Sequence, residues 1–238
     1  ARARALAEAG RNDAALAEAL THAGYTRYSR VFHGGQGAYG EALPELERAL
    51  ALREALGEPA ALAESWVFCG VAPVRLGEVA GAKALYQRAL DHSRDHACAL
   101  EQSYALRHLA FLRQGDGDLN GALDYFQRSL LLREAIGFRI NLPLSLLSVG
   151  QVQGQLGRHG EALATLDRAL ALAESLGSTR VATLCLYLQG ESHRASGRPQ
   201  EAAAAWARSR QLSEEIGYAV GVQRALARLK TLAERDKV

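Results

Sequence analysis

Residues 66–89 read WVFCGVAPVRLGEVAGAKALYQRA, and this stretch decides the fold. Trp66 stands four residues before Gly70, so both fall on one face of a first helix. Gly77 then marks a turn, and Ala82, Tyr86 and Ala89 follow at steps of four and three, again one helical face. The small residues let two helices approach closely, and the large Tyr86 fills the gap between them. The stretch therefore specifies a pair of antiparallel helices.

The same signature recurs at intervals of 40 residues. Ala42, Ala82, Ala122, Ala162 and Ala202 are followed four positions on by Leu46, Tyr86, Phe126, Leu166 and Trp206. Seven positions on come Ala49, Ala89, Ser129, Ala169 and Ser209. Gly57, Gly137, Gly177 and Gly217 lie at multiples of 40 from one another, where a left-handed residue ends each long helix, and Ala97 takes the skipped place. Gly70, Ala110, Gly150 and Gly190 precede the alanines by 12 residues, and four residues earlier stand Trp66, Leu106, Leu146 and Leu186.

Trp66-x-x-Cys69-Gly70 followed by Ala82-x-x-x-Tyr86 resembles the tetratricopeptide pattern W-x-x-L-G…A-x-x-x-F, with Cys69 in the place of the usual Leu. The unit is longer than the family's usual ~34 residues and is similar to the long-helix variant in MalT-like and other large LuxR-type regulators and in Rap-type proteins. The resemblance implies an all-α, right-handed superhelix of five helix pairs. The repeats are expected over residues 13–56, 59–95, 97–136, 140–176 and 180–216, in a single domain spanning 1–238. A partial helix at 2–9 precedes them, and a capping helix at 219–235 ends in the polar run Glu234-Arg235-Asp236-Lys237.

Composition agrees with an all-α chain. Ala and Leu dominate, and Ala, Leu, Glu, Arg and Gln are strong helix formers. The formal net charge is +2, with basic and acidic residues interspersed, so no basic run points to nucleic acid. No apolar stretch of about 18 residues predicts a membrane span. Three separated cysteines, Cys69, Cys98 and Cys185, indicate no disulfide framework, and a reducing cytoplasm is the expected compartment. The absence of Met, even at position 1, predicts that the sequence is an excerpt of a longer chain.

Departures from the repeat are its informative positions. In the first pair, Gly24 precedes Ala42 by 18 residues, and the turn His33-Gly34-Gly35-Gln36-Gly37 is read as a flexible turn after a longer helix. His92 and His96 replace the template Leu52-x-x-x-Leu56. At i and i+4 they share the spacing used to grip zinc, with Asp91 and Asp95 as further oxygens, but a polar joint of hydrogen-bonded histidines is the preferred reading. Pro73 is expected to kink its helix or end it near Arg75. Asp116-Gly117-Asp118 resembles the start of a calcium loop, but Gly and Asp are expected in such a turn for backbone reasons.

No nucleophile, base and metal set can be assembled, so neither enzyme activity nor a cofactor is expected. What remains is a surface. The resemblance implies that the first helix of each pair lines the concave face. The partner-binding set read there is Tyr25, Tyr28, Glu64, Arg75, Tyr104, Arg107, Phe111, Gln151, Tyr187, Glu191 and Arg194. Tyr and Arg suit the capture of protein segments. The expected role is protein interaction or effector sensing in a bacterial signalling or transcription regulator, binding a peptide or protein segment. The alternatives are a self-associating scaffold or a regulatory domain attached to an enzyme.

Overall fold

A computed structural model describes residues 2–32 and 35–235, with the side chain of residue 235 left aside. The described residues form twelve α-helices and no strand: α1 Arg2–Ala9, α2 Asp13–Phe32, α3 Leu43–Leu56, α4 Pro59–Leu76, α5 Val79–Asp95, α6 Ala99–Gly115, α7 Leu119–Ala135, α8 Leu142–Gln155, α9 His159–Ser175, α10 Thr179–Ala195, α11 Pro199–Glu215 and α12 Ala219–Arg235. The fold is the expected all-α helical repeat. The chain divides into two compact units, Ala1–Gly115 and Asp116–Val238, and the division falls in the turn inside the third pair.

The glycine and alanine register sets the packing in both units. A Cβ added at Gly150 would lie 2.8 Å from Leu166 Cγ, and one added at Gly24 would lie 2.7 Å from Leu46 Cγ. Tyr86 and Trp206 sit in the same way over Gly70 and Gly190. These large side chains are fully buried, as are Ala82, Ala162 and Ala202 beside them. Their removal from water drives the pairing of the helices.

The helix ends follow the predicted chemistry. Gly177 has φ +66°, and Ser178 N–H donates to the Ala173 carbonyl at 2.7 Å, closing the last turn of α9. Ala97 adopts the same left-handed conformation with φ 55° without being glycine. Asp118 caps α7 by accepting the Gly121 N–H at 2.9 Å, which gives the Asp116-Gly117-Asp118 turn its backbone reason.

Pro73 lies inside α4, which ends at Leu76, one residue past Arg75, before Gly77 turns at φ +88°. The second apolar position of the Leu52-x-x-x-Leu56 template lies at the surface, since Leu56, Ile136, Leu176 and Ile216 are all about two-fifths exposed. Of the glycine turn after α2, His33 and Gly34 lie outside the described residues, as do Asp236 and Lys237 at the end of the chain.

A buried arginine joins successive pairs. Arg53 of α3 uses Nη1 to donate to the Ala61 carbonyl at 2.9 Å, to Ser65 Oγ at 2.9 Å and to Glu64 at 2.8 Å. In the second unit Arg133 of α7 donates to Ser145 Oγ of α8 at 2.8 Å. A buried guanidinium needs such partners, since an unpaired buried charge is strongly destabilising.

Candidate functional site

The first unit carries an aromatic face. α2 is 20 residues long, and Tyr25, Tyr28 and Phe32 follow one another at steps of three and four along it, so their rings line up on one side. Ring centroids are 6.0 Å apart for Tyr25 and Tyr28 and 5.9 Å for Tyr28 and Phe32. Tyr39 joins Tyr28 at 5.6 Å, and Phe68 of α4 joins Tyr25 at 4.9 Å. The Arg75 guanidinium lies 4.7 Å from the Phe32 ring centroid, a cation–π contact. Tyr28 packs on the core of Ala42, Leu46 and Cys69, while Tyr25 and Phe32 remain 42% and 45% exposed. Burial raises the Tyr28 phenol above its ordinary range, and a hydrogen bond from Arg75 opposes that shift. The phenol therefore stays neutral and accepts from the guanidinium.

Three of the predicted residues, Tyr25, Tyr28 and Arg75, thus come together, and Phe32, Tyr39 and Phe68 complete the cluster. The helical spacing of Tyr25, Tyr28 and Phe32 was a usable signal for Phe32. Phe68 carried none, because it stands between the marked positions Trp66 and Gly70. Glu64 has a different job: it takes the ion pair from Arg53 and belongs to the joint between α3 and α4. On α6, the Arg107 guanidinium lies 4.7 Å over the Phe111 ring, with Tyr104 one turn earlier on the helix. Phe111 is 37% exposed, and Tyr104 and Arg107 are half-buried.

In the second unit, Gln151 is half-buried on α8. Tyr187 and Glu191 of α10 both engage Arg228 of α12. Arg228 Nε donates to the Tyr187 hydroxyl at 3.2 Å and pairs with Glu191 at 2.9 Å. These contacts, the Tyr187 hydrogen bond first, raise the already high arginine value further. Arg194 is exposed one turn beyond Glu191. Arg228 was invisible to the sequence reading, which treated α12 only as a cap.

His92 and His96 stand together at the C-terminal end of α5. Their rings lie 4.1 Å apart, the His92 ring meets Trp66 edge-on at 5.1 Å, and His96 Nδ1 lies 2.9 Å from the His92 carbonyl. Arg88 covers the Trp66 ring at 4.2 Å. Burial holds His92 below its ordinary value, as it does His193 in the second unit. Among the described residues no group of three or more His, Cys, Asp or Glu side chains gathers to hold a metal ion. Among them, too, no helix is long and apolar enough to cross a membrane. Burial pushes the Cys69 and Cys185 thiols up to about 12, which leaves them unreactive packing groups.

Residues 101–175 match the tetratricopeptide repeat family model. No curated protein matches the chain. Solved structures with the same fold include BtubC (BKLC) from P. vanneervenii, with 18% identity and a TM-score of 0.75 over 91% of this chain and 87% of that one. Aspartyl phosphate phosphatase F from Bacillus subtilis is similar at 13% identity and TM-score 0.70, over 92% of this chain and 57% of that one. The Rap conjugation gene regulator of plasmid pLS20, solved in complex with the Phr* peptide, matches at 16% identity and TM-score 0.64, over 94% of this chain and 63% of that one. This chain spans about three-fifths of the length of the last two. At such identities the likeness concerns the fold.

Proposed function

We propose that this chain is a non-catalytic interaction module of tetratricopeptide repeats, which holds a peptide or protein segment against the first helices of its pairs. The observation that carries this reading is the aromatic face on which Tyr25 and Phe32 are exposed beside the half-buried Tyr28, with Arg75 set against it. Aromatic rings offer large contact area with few rotors to freeze, and a guanidinium forms paired hydrogen bonds with a carboxylate. A segment with apolar side chains beside an acidic group fits such a face. The pLS20 regulator, a fold neighbour solved with a peptide, supports the class of ligand. The role we assign is effector sensing or partner recruitment in a cytoplasmic bacterial signalling or transcription regulator, without direct contact to nucleic acid or membrane.

The rival, a self-associating scaffold, would use the outer faces of the second helices. Glu45, Arg48 and Arg88 on those faces already pair with Arg27 at 3.2 Å, Glu8 at 3.1 Å and Glu54 at 3.6 Å. The exposed pairs among these, Arg48 with Glu8 and Arg88 with Glu54, contribute at most about 1 kcal/mol each. The two readings separate on mutation. Replacing Tyr104 and Arg107 together by Ala should weaken binding of the partner segment by about 2–4 kcal/mol in calorimetry, with helicity by circular dichroism retained. If binding survives that change and is lost on mutating Glu45, Arg48 or Arg88, the scaffold reading replaces this one.

A further inference from the structure

The first half of α2, the end of α3 and the start of α4 border an open cavity of about 360 Å³ in the first unit, at the other end of α2 from Tyr28 and Phe32. Arg53 reaches it from α3. This side chain is only 7% exposed, and its three hydrogen bonds, to the Ala61 carbonyl, Glu64 and Ser65, all leave from Nη1. Its Nε–H and both N–H groups of Nη2 meet no acceptor among the described residues. A guanidinium carries five N–H donors, and donors left unmet in a buried side chain are costly. A group that enters the cavity therefore finds donors that the fold leaves unused.

The charge of Arg53 is balanced by Glu64 at 2.8 Å. Two further carboxylates, Glu18 and Glu58, line the cavity and are exposed. Glu18 has only the exposed His22 ring at 3.7 Å, and Glu58 stands before the first residue of α4 without making a side-chain capping bond. Beside these charges the walls are apolar, with Ala14 and Ala15 on one side and Leu56 and Ala61 on the other. Leu56 is 41% exposed, so this wall is open to a ligand. An anion would face two carboxylates, and a plain amine would leave the arginine donors unmet. A zwitterion answers both. Its carboxylate suits the planar fork of a guanidinium, and its ammonium brings three donors to two carboxylates. The volume falls within the range of roughly 300–1,000 Å³ common to small-molecule sites.

We propose that this cavity binds a free α-amino acid with an aliphatic side chain, its carboxylate on Arg53, its ammonium between Glu18 and Glu58, and its side chain against Leu56 and Ala15. The proposal goes beyond the segment-binding reading and uses no residue of the aromatic face. Because Arg53 ties α3 to Glu64 and Ser65 of α4, the amino acid sits on the joint between the first two pairs.

The test titrates leucine, N-acetyl-leucine, leucinamide and glycine into the intact ¹⁵N-labelled protein. The Arg53 Nε–H and the Ala14 and Ala61 amide signals are followed by NMR. Leucine should give saturable shifts of these signals. N-acetyl-leucine, which lacks the ammonium, and leucinamide, which lacks the carboxylate, should each bind at least about tenfold more weakly, because each loses a charge-assisted hydrogen bond. Glycine, without the apolar contact, should also bind more weakly than leucine. Glu18→Gln and Glu58→Gln, both at exposed sites, should each weaken leucine binding by about tenfold while circular dichroism stays unchanged. Absence of a saturable shift with leucine, equal binding of N-acetyl-leucine, or unchanged affinity in both glutamine variants would overturn the proposal. Tighter binding of leucinamide than of leucine would overturn it in favour of a simple cation site, and equal binding of glycine would overturn the assignment of the apolar wall. Partner binding by the Tyr104 and Arg107 variant is a separate measurement, so the two readings can fail separately.

Discussion

At the scale of single residues, the tightest constraint on this fold is the absence of a side chain. Gly70 and Gly190 lie directly beneath Tyr86 and Trp206, and a methyl group at either position would overlap the ring. Gly190→Ala should therefore destabilise the second unit by about 1–3 kcal/mol, read as a lower midpoint in urea unfolding. Gly81→Ala, where an added Cβ would meet nothing within 4 Å, is the control and should be neutral or slightly stabilising. His92 sets a pH dependence at the same scale. Burial favours its neutral form, so its folded value lies below its unfolded one. The unfolded chain then binds the proton first as the solution acidifies. The contribution of His92 is present above the unfolded value of 6.5 and is lost as pH falls through the folded value. Thermal unfolding should show a lower Tm at pH 5.5 than at 7.5, and His92→Leu should reduce that difference, with a remainder from His193, whose value is lowered in the same way. An unchanged difference in His92→Leu would show that the histidine does not titrate in this way. His96 should matter less, because the template position it fills is two-fifths exposed even when it holds Leu56 or Ile136.

At the scale of helices, most of the architecture was legible because each pair announces its own ends. The glycines at 57, 137, 177 and 217 close the second helices in the left-handed conformation, and the observed boundaries fall within about two residues of the expected ones. Ala97 shows how strongly the repeat imposes that geometry. It adopts φ 55° although a non-glycine residue there costs about 1–2 kcal/mol. Ala97→Gly should raise stability by roughly 0.5–1 kcal/mol, the relief of strain less the extra freedom of glycine in the unfolded chain, measurable by chemical denaturation. No gain would mean that the α5–α6 turn relaxes the strain in another way. The parts that were not legible share a physical cause. Arg53 and Arg133 sit beside the apolar positions Leu52 and Leu132, and a pattern of large and small residues does not reveal that an arginine points inward to meet Ser65 or Ser145.

At the scale of the whole molecule, the two units carry different surfaces. The first presents aromatic rings with Arg75, and in the second Arg228 of α12 is tied to Tyr187 and Glu191 of α10. The residues of the binding set read from the sequence make different contacts. Tyr25, Tyr28 and Arg75 cluster, whereas Glu64 and Glu191 are held in ion pairs with Arg53 and Arg228. Helical periodicity locates a face, but only the packed structure shows which polar groups on that face are already engaged. The central claim is that the first-helix faces receive a protein segment. The most direct test is to select binders from a displayed random peptide library and map the selected peptide by hydrogen–deuterium exchange. Binding should slow exchange in α2 and α4 around Tyr25, Tyr28 and Arg75, and Tyr25→Ser with Phe32→Ser should weaken the peptide by about 2 kcal/mol or more. Protection confined to the outer faces of α3 and α5, with full affinity retained by that double variant, would contradict the account.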